Sequence, residues 1–307
     1  MLLAKPHLGY NISFIVDTEN KPKDFINNSS IANIPIINNI DSINENLINQ
    51  DISEIIIASD IRESEAIKDT LYNCLKLNIN LVNITRFYEN ISGKIHLDLV
   101  NKMWILENFN KMNYQWFDLF KRIYDIAASL FMLLITLPIW PIVALLVKLD
   151  SAGPIFFTQK RLGKNETVFT MIKFRTMRAV DNNQTPTTIG DTRISKLGSF
   201  LRKTRIDELP QVLNVLKGDM SIVGPRPERP EIAVGLKNEI PFYAIRMLVK
   251  PGITGWDQVS GEYHSPSQND TLKKLQYDFY YIKNRSLYLE LSILLKTIAT
   301  VLSRNGI

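Results

Sequence analysis

The chain of 307 residues has little of what most metal and redox sites are built from. It contains one cysteine, Cys74, and three histidines, His7, His96 and His264, that lie far apart in the sequence. A lone thiol forms neither an intramolecular disulfide nor a thiolate cluster, and the histidines lack the spacing of zinc ligands. The sequence therefore argues against a disulfide scaffold and a zinc site, and it favours a reducing compartment.

Glycine is almost absent from the first 110 residues, which contain only Gly9 and Gly93. Short β-branched runs predict strands at 12–17, 34–37, 55–58 and 79–82, with a helix at 63–77 between the last two. This order predicts a small parallel α/β sheet. Because no Gly-x-Gly-x-x-Gly turn is present, we predict for residues 1–112 a partial Rossmann-like module without a dinucleotide fingerprint and with a structural or regulatory role.

Charge is distributed unevenly along the chain. Residues 1–110 carry 9 Lys and Arg against 14 Asp and Glu, a net of −5, and the remainder carries 27 against 17, a net of +10. A basic module attracts polyanions, which include nucleic acid, anionic lipid headgroups and phosphorylated small molecules. The second part of the chain is therefore where an anionic partner is expected.

Charged residues are missing from Ile126 to Val147, a run long enough for a helix to cross the roughly 30 Å of bilayer hydrocarbon. Pro138 and Pro141 lie in the middle of the run and predict a bend. Basic residues flank both ends: Lys121, Arg122, Lys148, Lys160 and Arg161. Because such residues favour the cytoplasmic side, we predict that residues 113–150 form a re-entrant membrane helix, with a full span and a buried soluble helix as alternatives.

Residues 151–307 are predicted to form a mostly helical α+β domain. The alternation at Val168–Met177 predicts an edge strand that projects Lys173 and Arg175 from one face, where they could bind a diphosphate or form a solvated edge. Helices are predicted at 272–283 and 286–302. The second contains Glu290 and Lys296, which favours an amphipathic helix on the membrane interface, with Trp256, Tyr280, Tyr281 and Tyr288 at headgroup depth or in the core.

Adjacent carboxylates at Asp207 and Glu208 follow two arginines, Arg202 and Arg205, a mixture that suits phosphate chemistry at a divalent metal. A structural interpretation competes with this one. Thr204 and Asp207 have the spacing of a capping box before a helix that would end at Gly218, and such a cap would also keep Asp207 ionised. Capping alone leaves Glu208 and the arginines unexplained.

The second part of the chain carries a set of ordered motifs: Lys173-Phe174-Arg175-Thr176-Met177, Asp207-Glu208-Leu209-Pro210-Gln211, Asn214-Val215-Leu216-Lys217-Gly218-Asp219-Met220-Ser221, Val223-Gly224-Pro225-Arg226-Pro227 and Pro251-Gly252-Ile253-Thr254-Gly255-Trp256. Together with the proline-broken apolar helix, residues 118–307 resemble the bacterial sugar transferases, monotopic polyprenyl-phosphate phosphoglycosyl transferases. The N-terminal module resembles the end of the α/β domain of longer members. Leu137-Pro138 and Trp256-Asp257-Gln258 depart from the family's usual residues.

This resemblance implies a two-step transfer of a sugar 1-phosphate from a nucleotide-diphosphate sugar to polyprenyl phosphate at the cytoplasmic face of the bacterial inner membrane. It implies that Asp207 is the nucleophile, and that Glu208, with Asp207, holds Mg²⁺ or Mn²⁺. Lys173 and Asp278 match further catalytic positions. Arg202 and Arg226 match phosphate-binding positions, whereas Arg205 and Arg175 are assigned to that role from charge and proximity.

The expected partners are the nucleotide sugar, polyprenyl phosphate and membrane lipids, and the sequence leaves a homo-oligomer open. Two other functions compete with the transferase. The first is an inactive membrane adaptor of a glycan assembly complex, and the presence of the acidic pair argues against it. The second is a nucleic-acid-binding protein, and the broken apolar run argues against it. We therefore expect an enzyme, and we expect no nucleic-acid partner.

Overall fold

The computed structural model of the protein describes residues 9–17, 34–37, 47, 51–58, 65–74, 77–109, 115–178, 191–260 and 267–303. Contacts divide the chain into two compact units, Met1–His96 and Leu97–Ile307. The first unit ends before residue 112, where the N-terminal module was predicted to end. The helix at Lys102–Phe109 therefore belongs to the second unit.

The first unit has the predicted α/β order. Strands β1 (Ile15–Val16) and β2 (Ile36–Ile37) pair in parallel, as do β3 (Glu54–Ile57) and β4 (Asn80–Asn83). Helix α1 (Glu65–Cys74) connects the second pair, and α2 (Ile84–Ser92) follows it. The ends of the predicted helix at 63–64 and 75–76 lie outside the described residues. A Rossmann-like topology stays a prediction, because the described strands form two separate pairs.

The described residues of the second unit form many helices and two short sheets. Strands β5 (Phe156–Leu162) and β6 (Val168–Phe174) form an antiparallel hairpin, and β7 (Ser221–Val223) pairs in parallel with β8 (Gly252–Thr254). The described helices are α3 (Lys102–Phe109), α4 (Gln115–Thr136), α5 (Trp140–Asp150), α6 (Lys196–Lys203), α7 (Gln211–Lys217), α8 (Pro230–Glu239), α9 (Trp256–Val259), α10 (Gln268–Lys283) and α11 (Leu287–Leu302). The buried core includes Val212, Val215, Phe279 and Ile293.

The apolar run is broken where its prolines predict. Helix α4 ends at Thr136, a 3₁₀ turn covers Leu137–Ile139 with Pro138 inside it, and α5 begins at Trp140 with Pro141 in its first turn. Proline has no backbone N–H, so the regular hydrogen-bond ladder cannot continue through this point. By length and composition, the 36 residues from Gln115 to Asp150 could cross a membrane.

One side of this broken helix is attached to the protein and the other carries exposed apolar side chains. Val143 and Val147 are buried against Phe174 and Leu201. The exposed apolar residues from Leu130 onward include Leu130, Phe131, Leu134, Ile135, Leu137, Ile139, Ile142, Leu145, Leu146 and Leu149. Water would solvate such a continuous apolar surface poorly, which is typical of a membrane segment.

Charged residues near the start of α4 are engaged inside the protein. Lys121 forms a buried salt bridge of 2.5 Å with Glu290. Arg122 donates hydrogen bonds to the carbonyls of Val215 and Leu216 near the end of α7. These two cations therefore do not form the exposed basic flank on which the predicted membrane orientation partly depended.

Helix α11 is apolar on its buried face, at Leu289 and Ile293, and also on much of its exposed face. Glu290 faces inward, where Tyr281 donates to it, so Tyr281 belongs to the core rather than to a headgroup layer. The exposed face carries Lys296 and an apolar stripe that consists of Leu287, Tyr288, Leu291, Leu295 and Ile298. Their spacing places them on one stripe, as an interfacial helix requires.

Candidate active site

The acidic pair lies in a 3₁₀ turn, Ile206–Glu208, between α6 and α7. Thr204 is the C-cap of α6, and its hydroxyl donates to the carbonyls of Phe200 and Leu201. Arg205 then adopts a left-handed conformation with φ 57°, which redirects the chain into the turn. The predicted capping box is therefore wrong, since Thr204 closes the preceding helix. The predicted helix stop is confirmed: Gly218 ends α7 in the left-handed region.

Glu208 is surrounded by three cations. Its Oε1 lies 2.7 Å from Lys173 Nζ, 3.3 Å from Arg226 Nη2 and 3.8 Å from Arg205 Nη1. Burial alone would raise the pKa of Glu208, but these three positive charges lower it well below its ordinary value. Glu208 is therefore an ionised carboxylate in a fixed position.

Asp207 differs from its neighbour in that its buried Oδ1 has no hydrogen-bond partner in the part of the chain that the structure describes. Burial first, and then the charge of Glu208, raise the pKa of Asp207, although Lys173, Arg202 and Arg205 act in the opposite direction. The expectation that a helix cap keeps Asp207 ionised is thus wrong. What the structure provides is a carboxylate oxygen that is not engaged by the protein and lies beside three cations.

The other predicted cations divide into two groups. Lys173, Arg205 and Arg226 meet at Glu208, and Arg202 lies close enough for its charge to lower the pKa of Asp207. Arg175 is placed elsewhere. Its Nη2 donates to the carbonyls of Val147 and Ser151 at the end of α5, and no hydrogen bond or ion pair connects it to the acidic pair among the described residues.

A tight turn holds Arg226 in place. The Gly224 N–H donates to Thr254 O, and the Gly252 N–H donates to Pro225 O, so the turn is bonded to β8. A Cβ on Gly252 would lie 2.1 Å from Gly224 N, which is closer than atoms can approach. Glycine is therefore required where the two backbones meet.

Sequence reasoning missed Arg246, which connects Asp278 to this turn. Arg246 Nη2 lies 2.8 Å from Asp278 Oδ2 and donates to Arg226 O at 3.0 Å, and its Nη1 donates to Tyr243. Both charged side chains of the pair are almost completely buried. Asp278 therefore contacts the site through Arg246. No local motif indicates the pairing of Asp278 with Arg246, because the two residues lie 32 positions apart in different elements.

A divalent cation was predicted at the acidic pair. In the described residues, no three His, Cys, Asp or Glu side chains are grouped to hold a metal by themselves. Mg²⁺ commonly takes one or two carboxylates and completes its shell with substrate phosphates and water, and Mn²⁺ accepts the same oxygen donors. The unengaged Oδ1 of Asp207 beside Glu208 fits that arrangement.

Comparison with known proteins agrees with the geometry. Residues 116–304 match the family model described as bacterial sugar transferase. Two relatives are the UDP-N-acetylgalactosamine-undecaprenyl-phosphate N-acetylgalactosaminephosphotransferase of Aeromonas hydrophila (37% identical, covering 81% of this chain and 59% of the relative) and the UDP-glucose:undecaprenyl-phosphate glucose-1-phosphate transferase of Xanthomonas campestris pv. campestris (32% identical, 99% and 63%).

A shorter relative matches a smaller share of this chain but almost all of its own length. The exopolysaccharide production protein PSS of Rhizobium leguminosarum bv. phaseoli is 39% identical over 192 residues, which cover 60% of this chain and 96% of that protein. By contrast, the chain spans about six tenths of the length of the two relatives above. The family model covers well over half of the chain, including the broken apolar helix, the acidic pair and the turn of Arg226, so this protein belongs to the bacterial sugar transferase family.

Proposed function

We propose that this protein transfers a sugar 1-phosphate from a UDP-sugar to undecaprenyl phosphate and releases UMP. The observation that carries the proposal is the contrast within the acidic pair: Glu208 is bound by three cations, whereas Asp207 keeps a buried oxygen unengaged. Relatives that share the family are named for this type of transfer. The product would start the assembly of a surface glycan such as an O-antigen, a capsule or an exopolysaccharide.

The reaction proceeds in two displacements at one phosphorus atom. In the first, a carboxylate oxygen of Asp207 forms a bond to the phosphorus that carries the sugar, and the bond from that phosphorus to the bridging oxygen breaks. UMP leaves with the bridging oxygen, and an aspartyl phospho-sugar remains. In the second, an oxygen of undecaprenyl phosphate attacks the same phosphorus, the bond to Asp207 breaks, and the carboxylate is regenerated.

The cations of the site suit this chemistry. Arg226 and Lys173 hold Glu208 in place beside Asp207, and both can bind the nonbridging oxygens of a phosphate that enters. Arg202 donates a hydrogen bond from its Nε to the hydroxyl of Thr176 and lies near Asp207, where it can also bind a phosphate oxygen. When bound by Asp207 and Glu208, Mg²⁺ supplies positive charge that neutralises the diphosphate.

The broken helix would place this site at the headgroup layer. Asp125 accepts hydrogen bonds from Ser221 and Ile222 in β7, and Val147 accepts one from Arg175, which directly follows β6. Helix α7 packs against both β6 and β7. The contact of Asp125 and the contact of Val147 therefore attach the two halves of the broken helix to the same packed part of the protein. A straight helix would separate these two contacts by about 33 Å at 1.5 Å per residue, whereas a hairpin bent at Pro138 returns the chain to the same side. We propose a re-entrant hairpin at the cytoplasmic face of the inner membrane.

Release of UMP tests the proposal. The full chain is purified in detergent with Mg²⁺ and undecaprenyl phosphate and is incubated with UDP-sugars in turn. At least one donor should yield UMP, and without the acceptor a single burst of UMP should leave a phospho-sugar adduct on Asp207.

The matched control is Asp150→Asn, which changes an exposed aspartate outside the site and should be fully active. Asp207→Asn should abolish both turnover and adduct. The proposal fails if no donor yields UMP, or if Asp207→Asn keeps full activity.

A further inference from the structure

Two acceptor groups near Arg226 have no role in the chemistry described above. Asp257 and Gln258 follow Gly255 at the start of α9, and Asp257 is only 3% exposed. Asp257 Oδ1 and Gln258 Oε1 are both buried and have no hydrogen-bond partner among the residues that the structure describes. A buried carboxylate oxygen without a donor costs free energy, so its retention needs an explanation.

Both oxygens face one small region beside the turn of Arg226. A methyl group placed on Gly255 would lie 3.0 Å from Asp257 Oδ1 and 3.5 Å from Gln258 Oε1. It would also lie 2.5 Å from the carbonyl of Gly224, which precedes Pro225 and Arg226. Three acceptor oxygens are therefore gathered next to the turn that carries Arg226.

Arg226 links this region to the acidic pair. Glu208 first, and then Asp257, raise the pKa of Arg226 against the opposite effect of burial. The guanidinium therefore lies within electrostatic reach of both carboxylates. If Arg226 binds a phosphate of the donor, the part of the donor that is attached to this phosphate would lie close to Asp257.

The chemistry of the region selects the kind of ligand. Carboxylate and amide oxygens accept hydrogen bonds, so they need a partner rich in O–H groups. A UDP-sugar carries hydroxyl groups on both sides of its diphosphate, on the ribose at one side and on the hexose at the other. An acidic side chain commonly binds neighbouring hydroxyls of a ribose in other nucleotide sites.

We propose that Asp257 and Gln258 form a donor-recognition subsite that accepts hydrogen bonds from hydroxyl groups of the nucleotide sugar. This inference rests on the proposed transfer reaction and adds to it the residues that select the donor. It also gives a function to a position at which the sequence departs from the usual family pattern.

An internal pair is the competing explanation. If the amide of Gln258 were rotated by 180°, its NH₂ group could donate to Asp257, and the two residues would satisfy each other without a ligand. The two explanations predict different effects on the stability of the free protein. An internal pair stabilises the fold, so its loss should lower the melting temperature. An unpaired carboxylate kept for a ligand destabilises the free enzyme, so neutralising Asp257 should leave the melting temperature unchanged or raise it.

The test uses the full chain with Asp257→Asn, Asp257→Ala and Gln258→Ala, and with Glu239→Gln as an exposed acid-to-amide control. We expect the KM of the preferred UDP-sugar to rise about tenfold or more in Asp257→Ala, as follows when a group that binds a substrate hydroxyl is removed. Asp257→Asn should have a smaller effect, and Glu239→Gln none. The melting temperature of Asp257→Asn should not fall.

Two comparisons identify the source of the hydroxyls. If the ribose is bound, inhibition by UMP should weaken in these variants as the KM of the donor rises. If the hexose is bound, inhibition by UMP should be unchanged, and discrimination between UDP-glucose and UDP-galactose, or between their N-acetyl forms, should decrease. Either result supports the subsite. An unchanged KM and unchanged discrimination would overturn the subsite whatever the melting temperature, and a lower melting temperature would then favour the internal pair. Absence of UMP release from the unmodified protein would instead refute the transfer reaction.

Discussion

Lys173 Nζ lies 2.7 Å from Glu208 Oε1, whereas Asp207, the residue next to Glu208, keeps its Oδ1 free of any hydrogen bond from the described residues. Two carboxylates that are equivalent in the sequence thus differ in the fold. One is neutralised and fixed by cations, and the other is available for a phosphorus atom. This contrast supports separate roles for Asp207 and Glu208.

Removal of Lys173 should therefore impair the site without removing either carboxylate. In Lys173→Met we expect kcat/KM for UMP release to fall about 10- to 100-fold, because a hydrogen bond to a charged group is worth roughly 1.5–3 kcal/mol. Lys160→Met, which changes an exposed lysine on β5, is the control and should retain its activity. Equal rates for Lys173→Met and the unmodified protein would show that the contact with Glu208 is not needed.

Activity should depend on the ionisation of Asp278. Burial raises its pKa to about 7, although Arg246 opposes the shift. An ordinary aspartate keeps its charge down to about pH 4, whereas Asp278 takes up a proton as the pH falls through about 7. Arg246 then loses its counter-charge, and its hold on the backbone of Arg226 weakens. We expect the rate of UMP release to decrease below about pH 7.

The variant Asp278→Asn separates this effect from other titrations. Its side chain is neutral at every pH, so it should be less active above pH 7 and should lack the decrease near pH 7. The measurement is kcat/KM for UMP release between pH 5.5 and 9. The same decrease near pH 7 in both proteins would assign it to a different group.

The buried pair of Lys121 and Glu290 should stabilise the attachment of α4 to α11. In Lys121→Met, Glu290 stays buried with a hydrogen bond from Tyr281 but without its cation, and the loss of one partner of a buried pair costs roughly 3–5 kcal/mol. Thermal denaturation in detergent measures the effect, with Lys148→Met at an exposed site as control. The double variant Lys121→Met, Glu290→Met should recover part of the loss, and its failure to do so would show that the charge is not the cause.

Short-range features of the fold could be predicted from the sequence, whereas contacts between distant elements could not. The stop at Gly218 and the break at Pro138 follow from local backbone chemistry, and both are observed. Arg175 shows the limit of such reasoning. Alternation placed it beside Lys173, but β6 ends at Phe174, so the period of two no longer applies at the next residue.

The partners of Arg246 and Glu290 could not be predicted for a different reason. Each is bonded to a residue on another element, Asp278 and Lys121 respectively, and no periodic pattern encodes these pairs. Buried charges are rare, so nothing in the sequence indicated that Glu290 would face inward. Pairing with Lys121 reverses that preference and leaves the apolar stripe of α11 on the outside.

This outward stripe of α11 should bind a membrane surface. Leu291→Glu and Leu295→Glu place charges among exposed apolar side chains, so the folded protein should bind phospholipid vesicles more weakly. Cosedimentation with vesicles measures the binding, and Asn284→Glu, at an exposed residue just before α11, is the control. Unchanged binding in both leucine variants would show that α11 does not contact lipid.

The hairpin makes the sharpest prediction about the membrane, because it places both ends of the broken helix on one side. Single cysteines at Gln115 and Lys160, which are exposed before and after the apolar run, are introduced in a Cys74→Ala background. A membrane-impermeant maleimide should label both positions in inverted inner-membrane vesicles and neither in sealed right-side-out vesicles. A cysteine at Leu134, within the exposed apolar surface, should resist labelling in both preparations. If Gln115 and Lys160 are labelled from opposite sides, the helix spans the membrane, and the re-entrant arrangement is wrong.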